Sequence, residues 1–273
     1  MRCKLPELPE VETVKKYLKK HIVNNKILDT IIYYDKLITN LTSEEFVNKL
    51  KEETINDVNR RGKWLIIEMK EYFLLSHLRM EGKYFIKDKD SPKEKHDLIR
   101  FKLNDKDLIY NDVRKFGRMF LYNKTDDIYN LKPLKDLGVE PLSKELNIKY
   151  LKNKFKNKPI KILLLDQSII SGIGNIYADE ILFKAGINPL RKGDSLSDKE
   201  IKLLIESIKI IIKDAIDSNG STIKSYSFGD HHQGSYQDKL KVYNKKMCPK
   251  CNNSLTKIKL GGRGTTYCSR CQK

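Results

Sequence analysis

The stretch CPKCNNSLTKIKLGGRGTTYCSRC, residues 248–271, decides the fold at the C-terminal end of the chain. Its cysteines form two C-x2-C pairs that are 16 residues apart, a spacing typical of a tetrahedral Zn²⁺ site. The segment LTKIKLGGRGTTY between the pairs predicts two short strands around a glycine-rich turn. Because cysteine fills all four positions, we expect one structural zinc with no open coordination position, held by Cys248, Cys251, Cys268 and Cys271. Two disulfides or a redox motif are the alternative, which an intracellular location disfavours.

Arg263 lies in the predicted turn of this hairpin, between Gly261, Gly262 and Gly264. Glycine allows another backbone to approach closely, so the turn presents Arg263 as a cation within reach of a phosphate. A solvated turn arginine is the alternative.

Composition indicates a basic protein of two unequal domains with a small appendage. The 273 residues carry a net charge of +18, which favours binding to a phosphate polymer or an anionic membrane surface. Most basic residues are lysines, and an AT-rich genome would explain part of that excess, so the ten arginines are more informative. No run reaches the ~18 apolar residues of a membrane span. The first fifteen residues lack the apolar region of a secretory signal, and we therefore expect a soluble, intracellular chain.

Hydrophobic periodicity changes along the chain in a way that predicts an α+β architecture. Pro9, Val11, Val14 and Leu18 have the spacing of an amphipathic helix. Short β-branched or aromatic runs then predict an antiparallel sandwich or barrel, at 27–34, 63–69, 72–78, 84–88, 98–103, 107–112 and 118–123. Later segments have helical spacing between prolines and glycines, at 143–157, 160–168, 174–185 and 197–218. A sheet domain, a helical domain and a terminal metal module should follow one another.

Six blocks in this order resemble the formamidopyrimidine-DNA glycosylase family, bacterial enzymes that excise oxidised purines such as 8-oxoguanine. The blocks are PELPEVETV at 6–14, RRGKWLIIE at 60–68, HLRMEGKY at 77–84, DVRKFGRM at 112–119, LLLDQSIISGIGNIYADEILF at 163–183 and the four-cysteine hairpin. The related endonuclease VIII type opens Pro-Glu-Gly-Pro and prefers oxidised pyrimidines. Leu8 argues against that type here, although it stays an alternative.

The resemblance implies a division of the chain and a biological role. It implies a β-sandwich catalytic domain with an N-terminal helix at 6–130, a helix-two-turn-helix domain at 131–236 and a zinc finger at 237–273. The implied enzyme is a monomeric bifunctional glycosylase and AP lyase of base excision repair. Its partner would be duplex DNA with oxidised bases, in the bacterial cytoplasm at the nucleoid, with no membrane partner.

Catalytic roles are implied for four residues. Pro6 matches the family's nucleophile, whose secondary amine forms a Schiff base with the sugar C1′ and acts only at the chain terminus. An α-amino group has a pKa near ~8, so a useful share is neutral at cellular pH. Glu7 would protonate the sugar oxygen, Lys63 would serve β-elimination and Arg263 δ-elimination. Without the resemblance, Pro6 and Glu7 would be interpreted as ordinary residues before a helix, and Lys63 as a solvent-exposed residue at the start of a strand.

DNA contacts are implied for seven further residues. Base flipping leaves a hole in the stack, and Met80, Arg114 and Phe116 match the trio that fills it, with Arg114 facing the orphaned cytosine. Lys115 stands where many relatives carry a second arginine, so its phosphate contact should be weaker. Asn175 lies at a glycine-bearing helix mouth suited to a phosphate, with a plain helix cap as the alternative. His96 and Lys158 resemble further DNA-contacting positions.

Two segments raise separate expectations. Residues 221–236 correspond to the family's mobile loop over the flipped base. The opening MRCKL places Leu5 where relatives have their initiator Met, so we hypothesise that translation starts at a UUG codon at position 5 and that residues 1–5 are a start-site extension. Removal of that Met would free the Pro6 amine. If Pro6 is internal instead, a non-catalytic protein that binds damaged DNA is the alternative.

Overall fold

The computed structural model describes residues 6–221 and 234–273 and divides into two compact units. One unit comprises residues 6–135 with Ser221 and Gly234, and the other comprises 136–220 and 235–273. The start-site extension and most of the expected loop over the flipped base lie outside the described residues. The predicted domain boundaries stay predictions.

Helix α1, Leu8–Ile22, opens the first unit as the spacing of its apolar residues predicted. Pro9 lies in its first turn, where its missing N–H costs no helical hydrogen bond. Val14 and Leu18 point into the hydrophobic core together with Val11 and Ile22. The buried face of α1 is therefore the one that the sequence marks as apolar.

Two four-stranded antiparallel sheets form the body of the first unit, which confirms the predicted α+β sandwich. The strands are β1 Asp29–Ile32, β2 Ile55–Arg61, β3 Trp64–Met69, β4 Tyr72–His77, β5 Lys83–Asp88, β6 Asp97–Lys102, β7 Lys106–Asn111 and β8 Arg118–Asn123. One sheet has the order β1-β6-β7-β5 and the other β2-β3-β4-β8. Side chains from both sheets share one core with α1, including Leu65 and Ile67 of β3 and Ile99 and Phe101 of β6.

Two elements of the first unit were absent from the sequence-based prediction. Strand β2 escaped it because a bulge between Ile55 and Asp57 interrupts the alternation of apolar and polar residues. Helix α2, Ser43–Leu50, begins with a capping box in which Thr42 and Glu45 satisfy each other's backbone N–H groups. The sequence T-S-E-E carries that signal, and the box could have been recognised from it.

Four helices and a hairpin build the second unit, with α3 Ile148–Lys154, α4 Ile160–Leu165, α5 Asn175–Ala185, α6 Asp198–Asp217, β9 Thr256–Leu260 and β10 Arg263–Tyr267. The prediction for the first helix was too long at both ends. The Asn147 side chain accepts the Tyr150 N–H at 2.9 Å and caps α3 there. Helix α4 also ends early, because Asp166 accepts the Ser168 N–H at 2.9 Å and turns the chain.

The helices of residues 6–221 and 234–273 include none long and apolar enough to cross a membrane.

Candidate active site and nucleic-acid interface

The N-terminal end of α1 holds Pro6 and Glu7 in buried positions. The Glu7 N–H donates to Oε2 of Glu10 at 2.9 Å, and Oε1 of the same carboxylate accepts the Ser221 N–H at 2.7 Å. Glu10 therefore ties the start of α1 to the last described residue before the segment 222–233. Sequence reasoning missed Glu10, although a glutamate three residues after a helix cap is the signal of a capping box.

Lys63 lies half-buried in the tight turn between β2 and β3, next to Gly62 with its φ of 56°. Arg60 connects this turn to α1, since its Nε donates to Oε2 of Glu12 at 2.8 Å and its Nη1 donates to the Gly62 carbonyl at 3.0 Å. Burial raises the pKa of Glu12, but hydrogen bonds from Lys15 and Arg60 outweigh it and lower that pKa below its ordinary value. The Arg60–Glu12 pair thus fixes the turn that carries Lys63 against the helix that begins after Glu7.

His77 at the end of β4 reports a positive environment around this turn. Burial, together with the charges of Arg79 and Lys63, lowers the pKa of His77 to about 3. The ring packs edge-on against Trp64 at 4.7 Å between centroids, and its Nδ1 accepts the Arg79 N–H at 2.9 Å. His77 is therefore neutral at cellular pH, and lysine and arginine carry the positive charge here.

Met80, Arg114 and Phe116, expected to fill the hole left by a flipped base, lie together in the first unit. Nη1 of Arg114 is 2.9 Å from Sδ of Met80, and the Arg114 guanidinium lies over the Phe116 ring at 4.7 Å from its centroid. Phe116 is 46% exposed, although large apolar side chains normally pack inside. The exposed Arg114 and Phe116 and the half-buried Met80 form one cluster, which we call the wedge.

Two further predicted DNA contacts flank the wedge. Lys115 adopts a φ of 57°, and its Nζ lies 5.0 Å from the centroid of the Tyr34 ring. His96 is half-buried directly before β6, and its carbonyl accepts the Asp112 N–H at 3.0 Å. The backbone of His96 is thereby joined to the segment that carries Lys115.

In the second unit, Asn175 contacts the hairpin turn that carries Arg263. Gly261 and Gly262 have φ values of 53° and 76°, which the turn before the exposed Arg263 requires. Nδ2 of Asn175 donates to the Gly264 carbonyl at 3.0 Å, so the amide braces the residue next to Arg263. Part of the hydrogen-bonding capacity predicted for a phosphate is thus used inside the protein.

Lys161 supports the same hairpin from below and was missed from the sequence. It is fully buried, and its Nζ lies 2.7 Å from Oδ1 of Asp179, 2.9 Å from the Gly264 carbonyl and 2.8 Å from the Thr265 hydroxyl. Oδ2 of Asp179 accepts the Thr266 N–H at 3.1 Å. Burial raises the pKa of Asp179 to about 6, with Lys161 acting against that rise. A lysine inside a lysine-rich segment gives no sequence signal of such a role.

Lys158 is exposed in the loop before α4. Among the described residues, no hydrogen bond or ion pair joins its side chain to Asn175 or Arg263, and its backbone carbonyl accepts the Gly193 N–H at 3.0 Å.

The four cysteines converge as their spacing predicted. Their sulfurs all lie within 4.8 Å of one another, with Cys248 and Cys271 at 3.9 Å and Cys251 and Cys268 at 3.5 Å. Zn–S bonds of ~2.3 Å in a tetrahedron place sulfurs ~3.8 Å apart, so this donor set fits zinc. The protein carries one structural zinc site, and its ligands hold the two ends of the β9–β10 hairpin together.

Comparison with known families covers most of the chain. Residues 5–119 match the family model described as formamidopyrimidine-DNA glycosylase N-terminal domain, and residues 137–227 match the formamidopyrimidine-DNA glycosylase H2TH domain. Residues 245–273 match a zinc finger found in FPG and IleRS. The three matches follow the order of the sheet unit, the helices and the cysteine hairpin.

Individual relatives agree with these matches. Formamidopyrimidine-DNA glycosylases of Bacillus subtilis and Shouchella clausii are 42% and 43% identical, each over 98% of this chain and 99% of the relative. A solved complex of a Lactococcus lactis FPG mutant with Fapy-dG-containing DNA is 41% identical, with a TM-score of 0.92 over 98% of this chain and 100% of that one. A complex of wild-type Lactococcus lactis FPG with DNA containing an oxidised pyrimidine has 40% identity and a TM-score of 0.90 over the same shares.

The fold, the zinc hairpin and the full-length similarity support one conclusion. The chain belongs to the formamidopyrimidine-DNA glycosylase family and is a DNA glycosylase of oxidised-purine repair.

Proposed function

We propose that Pro6 is the nucleophile of a bifunctional glycosylase and AP lyase. The observation that carries the proposal is the start of α1, where Pro6 and Glu7 are buried side by side and Glu10 holds the Glu7 backbone. The lone pair of a terminal Pro6 nitrogen attacks C1′ of the damaged nucleotide and the bond from C1′ to the base breaks; the proton that the nitrogen loses balances the proton that the base gains as it leaves.

The opening of the sugar ring and the two eliminations follow from this attack. Glu7 donates a proton to the ring oxygen as the C1′–O bond breaks, which leaves an iminium between Pro6 and C1′. Loss of a proton from the neighbouring carbon then expels the 3′ phosphate, and Lys63 is the group that we propose to donate a proton in this elimination. A second elimination, assigned to Arg263, expels the 5′ phosphate, and water releases the sugar remnant from Pro6.

The partner that we propose is duplex DNA with an oxidised base. Met80, Arg114 and Phe116 would enter the stack after the base flips out, while Lys115, His96, Lys158 and Asn175 would contact the backbone. The net charge of +18 supports binding to a polyanion, and affinity should fall as salt rises. We also propose a cytoplasmic location at the nucleoid and the division of the chain at residues 130 and 236.

The test uses two versions of the protein that differ only at the N-terminus. One is produced so that Pro6 is the first residue, verified by intact mass, and the other retains residues 1–5. Each is incubated with borohydride and a duplex containing 8-oxoguanine, and a matched duplex carries an oxidised pyrimidine. Borohydride reduces an iminium to a stable amine, so a covalent protein–DNA adduct reports the Schiff base.

We expect an adduct with the version that starts at Pro6 and none with the longer version, with faster adduct formation on 8-oxoguanine. Equal trapping by both versions would show that another amine is the nucleophile, and Lys63 would be the first candidate. Absence of an adduct from the Pro6 version would contradict the covalent mechanism. Faster reaction with the pyrimidine duplex would favour the endonuclease VIII-like specificity.

A further inference from the structure

The wedge stands on a buried carboxylate that no predicted role uses. Asp112 follows β7 and is 0% exposed. Its Oδ1 accepts the Arg114 N–H at 2.9 Å, and its Oδ2 accepts the N–H groups of Phe116 and Gly117, both at 2.9 Å. The Asp112 carbonyl accepts the Lys115 N–H at 3.3 Å. One residue therefore binds the backbone N–H groups of four consecutive positions, 114–117.

A buried tyrosine fixes the same segment sterically. A Cβ added to Gly117 would lie 2.0 Å from the Tyr110 hydroxyl, and a Cβ added to Gly82 would lie 2.1 Å from it. Both positions exclude any side chain, because non-bonded carbon and oxygen atoms do not approach so closely. Gly82 follows Met80 and Gly117 follows Phe116, so the two segments that carry the wedge pack on one hydroxyl.

This arrangement holds the wedge in place before DNA binds. The segment 113–117 needs an unusual backbone, since Lys115 has a φ of 57°, a conformation disfavoured for residues other than glycine. Hydrogen bonds to a charged acceptor are stronger than those between neutral groups. The bonds to Asp112 therefore offset the conformational entropy that this segment loses when it is held in one conformation. An exposed loop without them would have to be ordered during binding, at a cost in affinity.

We propose that Asp112, resting with Tyr110 beneath residues 114–117, is the positioning residue of the wedge and governs lesion excision through it. The inference rests on the proposed role of Arg114 and Phe116 in filling the stack. Asp112 itself does not touch DNA. Its effect should therefore depend on whether the duplex has a stack and an opposite base for the wedge to engage.

The test compares Asp112→Asn, Arg114→Ala and Glu180→Gln with the unchanged protein. Asn keeps the shape of Asp112 but presents an amide NH2 where an oxygen accepted N–H groups. Glu180 is the matched control, because its buried carboxylate also accepts three backbone N–H groups, those of residues 241–243 at 2.8 to 2.9 Å. No predicted site residue lies in 241–243, so the control reports the general effect of weakening such a group.

Two measurements are made on each variant. The first is kcat/KM for excision of 8-oxoguanine opposite cytosine and opposite a missing base, where no orphaned base remains to be contacted. The second is the fluorescence of 2-aminopurine placed next to the lesion, which rises when the stack is opened. For Asp112→Asn we expect a roughly tenfold loss of kcat/KM opposite cytosine, the scale of one charge-assisted hydrogen bond. The loss of kcat/KM should be much smaller opposite the missing base. In the duplex with cytosine, the 2-aminopurine fluorescence should rise less than it does with the unchanged protein.

Each outcome separates the inference from the proposed function. If Arg114→Ala reduces excision and Asp112→Asn does not, the positioning role of Asp112 is wrong, while the proposed role of the wedge is supported. If Arg114→Ala is unimpaired on both duplexes, the wedge itself is wrong and the inference falls with it. An equal loss on the two duplexes, or the same loss in Glu180→Gln, would show a general structural effect and overturn the proposal.

A second pair of variants keeps the test decisive if Asp112→Asn does not fold. Gly117→Ala should displace Phe116 and reduce the 2-aminopurine signal, because its methyl group meets the Tyr110 hydroxyl. Adding Tyr110→Leu removes that oxygen and the ring carbons that would lie 2.8 and 3.0 Å from the added Cβ, and should restore part of the signal. Absence of any restoration, with both proteins folded, would contradict the support that we assign to Tyr110.

Discussion

Replacing Lys161 by Met should destabilise the hairpin that presents Arg263. The Lys161 ammonium is 0% exposed and lies 2.7 Å from the Asp179 carboxylate, which is itself 1% exposed. Removing one partner of a buried ion pair costs about 3 to 5 kcal/mol, because the other partner is left without compensation. Lys161→Met also removes the donor to the Gly264 carbonyl, so both the free energy of unfolding and the order of β10 should fall.

The stability that Lys161→Met loses relative to the unchanged protein should depend on pH. Burial raises the pKa of Asp179 to about 6 even though Lys161 opposes the rise, and without Lys161 the native carboxyl should hold its proton more tightly still. The native state of the variant then binds more protons than the unfolded state, so its stability falls as pH rises. The unchanged protein shares this fall up to the Asp179 pKa of about 6, so the difference between Lys161→Met and the unchanged protein should grow above pH 6, where Asp179 ionises only with Lys161 beside it.

The assay is urea unfolding followed by far-UV circular dichroism, with amide hydrogen exchange of β10 as a local probe. Lys152→Met is the matched control, because Lys152 and Asp198 are also 2.7 Å apart but are 54% and 64% exposed. Exposed pairs contribute little, so this control should be almost unchanged. Combining Lys161→Met with Asp179→Leu should lose much less than the sum of the two single changes, since an apolar pair leaves no buried charge. A loss no larger than that of Lys152→Met, or strict additivity, would refute the reasoning.

Three further perturbations have expected outcomes. The His77 pKa near 3 lies below that of an unfolded histidine, so the stability of the protein should fall as pH drops from ~6.5 towards 3. In a plot of the denaturation midpoint against pH, His77→Gln should flatten this part of the curve. An unchanged slope would contradict the buried neutral ring. The Cys271→Ser protein should contain less than one zinc per chain by elemental analysis, and its β9 and β10 amides should exchange faster. A full zinc content would show that other groups hold the ion. Arg60→Gln should lower the rate of borohydride trapping more than DNA affinity, because Arg60 links Glu12 to the Lys63 turn; equal effects on both would argue against that link.

The zinc hairpin shows why some features were predictable. Each C-x2-C pair supplies two ligands from one turn, and the strands between the pairs face each other across two glycines, so the relevant contacts are close in sequence. The sandwich strands were recognisable for a similar reason, since alternation within six residues, as in β8, reflects one buried face. Strand β2 was not recognised, because its bulge hides that alternation.

The supporting residues of the candidate site were beyond the reach of periodicity. Lys161 and Gly264 are 103 positions apart, and Glu10 and Ser221 are 211 apart. Nothing in a local pattern states that a particular lysine or glutamate is buried against a distant backbone. Asp112 is nearer to its partners, but an aspartate before a turn also occurs as an ordinary solvated residue.

The sequence by itself determined the α+β class, the zinc ligands and the family, because these depend on spacing and on residue types that sit close along the chain. Only the tertiary structure decided which buried groups hold the candidate site residues of each unit in position. Glu10 at the start of α1, Asp112 beneath the wedge and Lys161 beneath the hairpin act through hydrogen bonds whose strength depends on burial. Burial is a property of the folded chain, so these roles emerge when sheets and helices close around the polar groups.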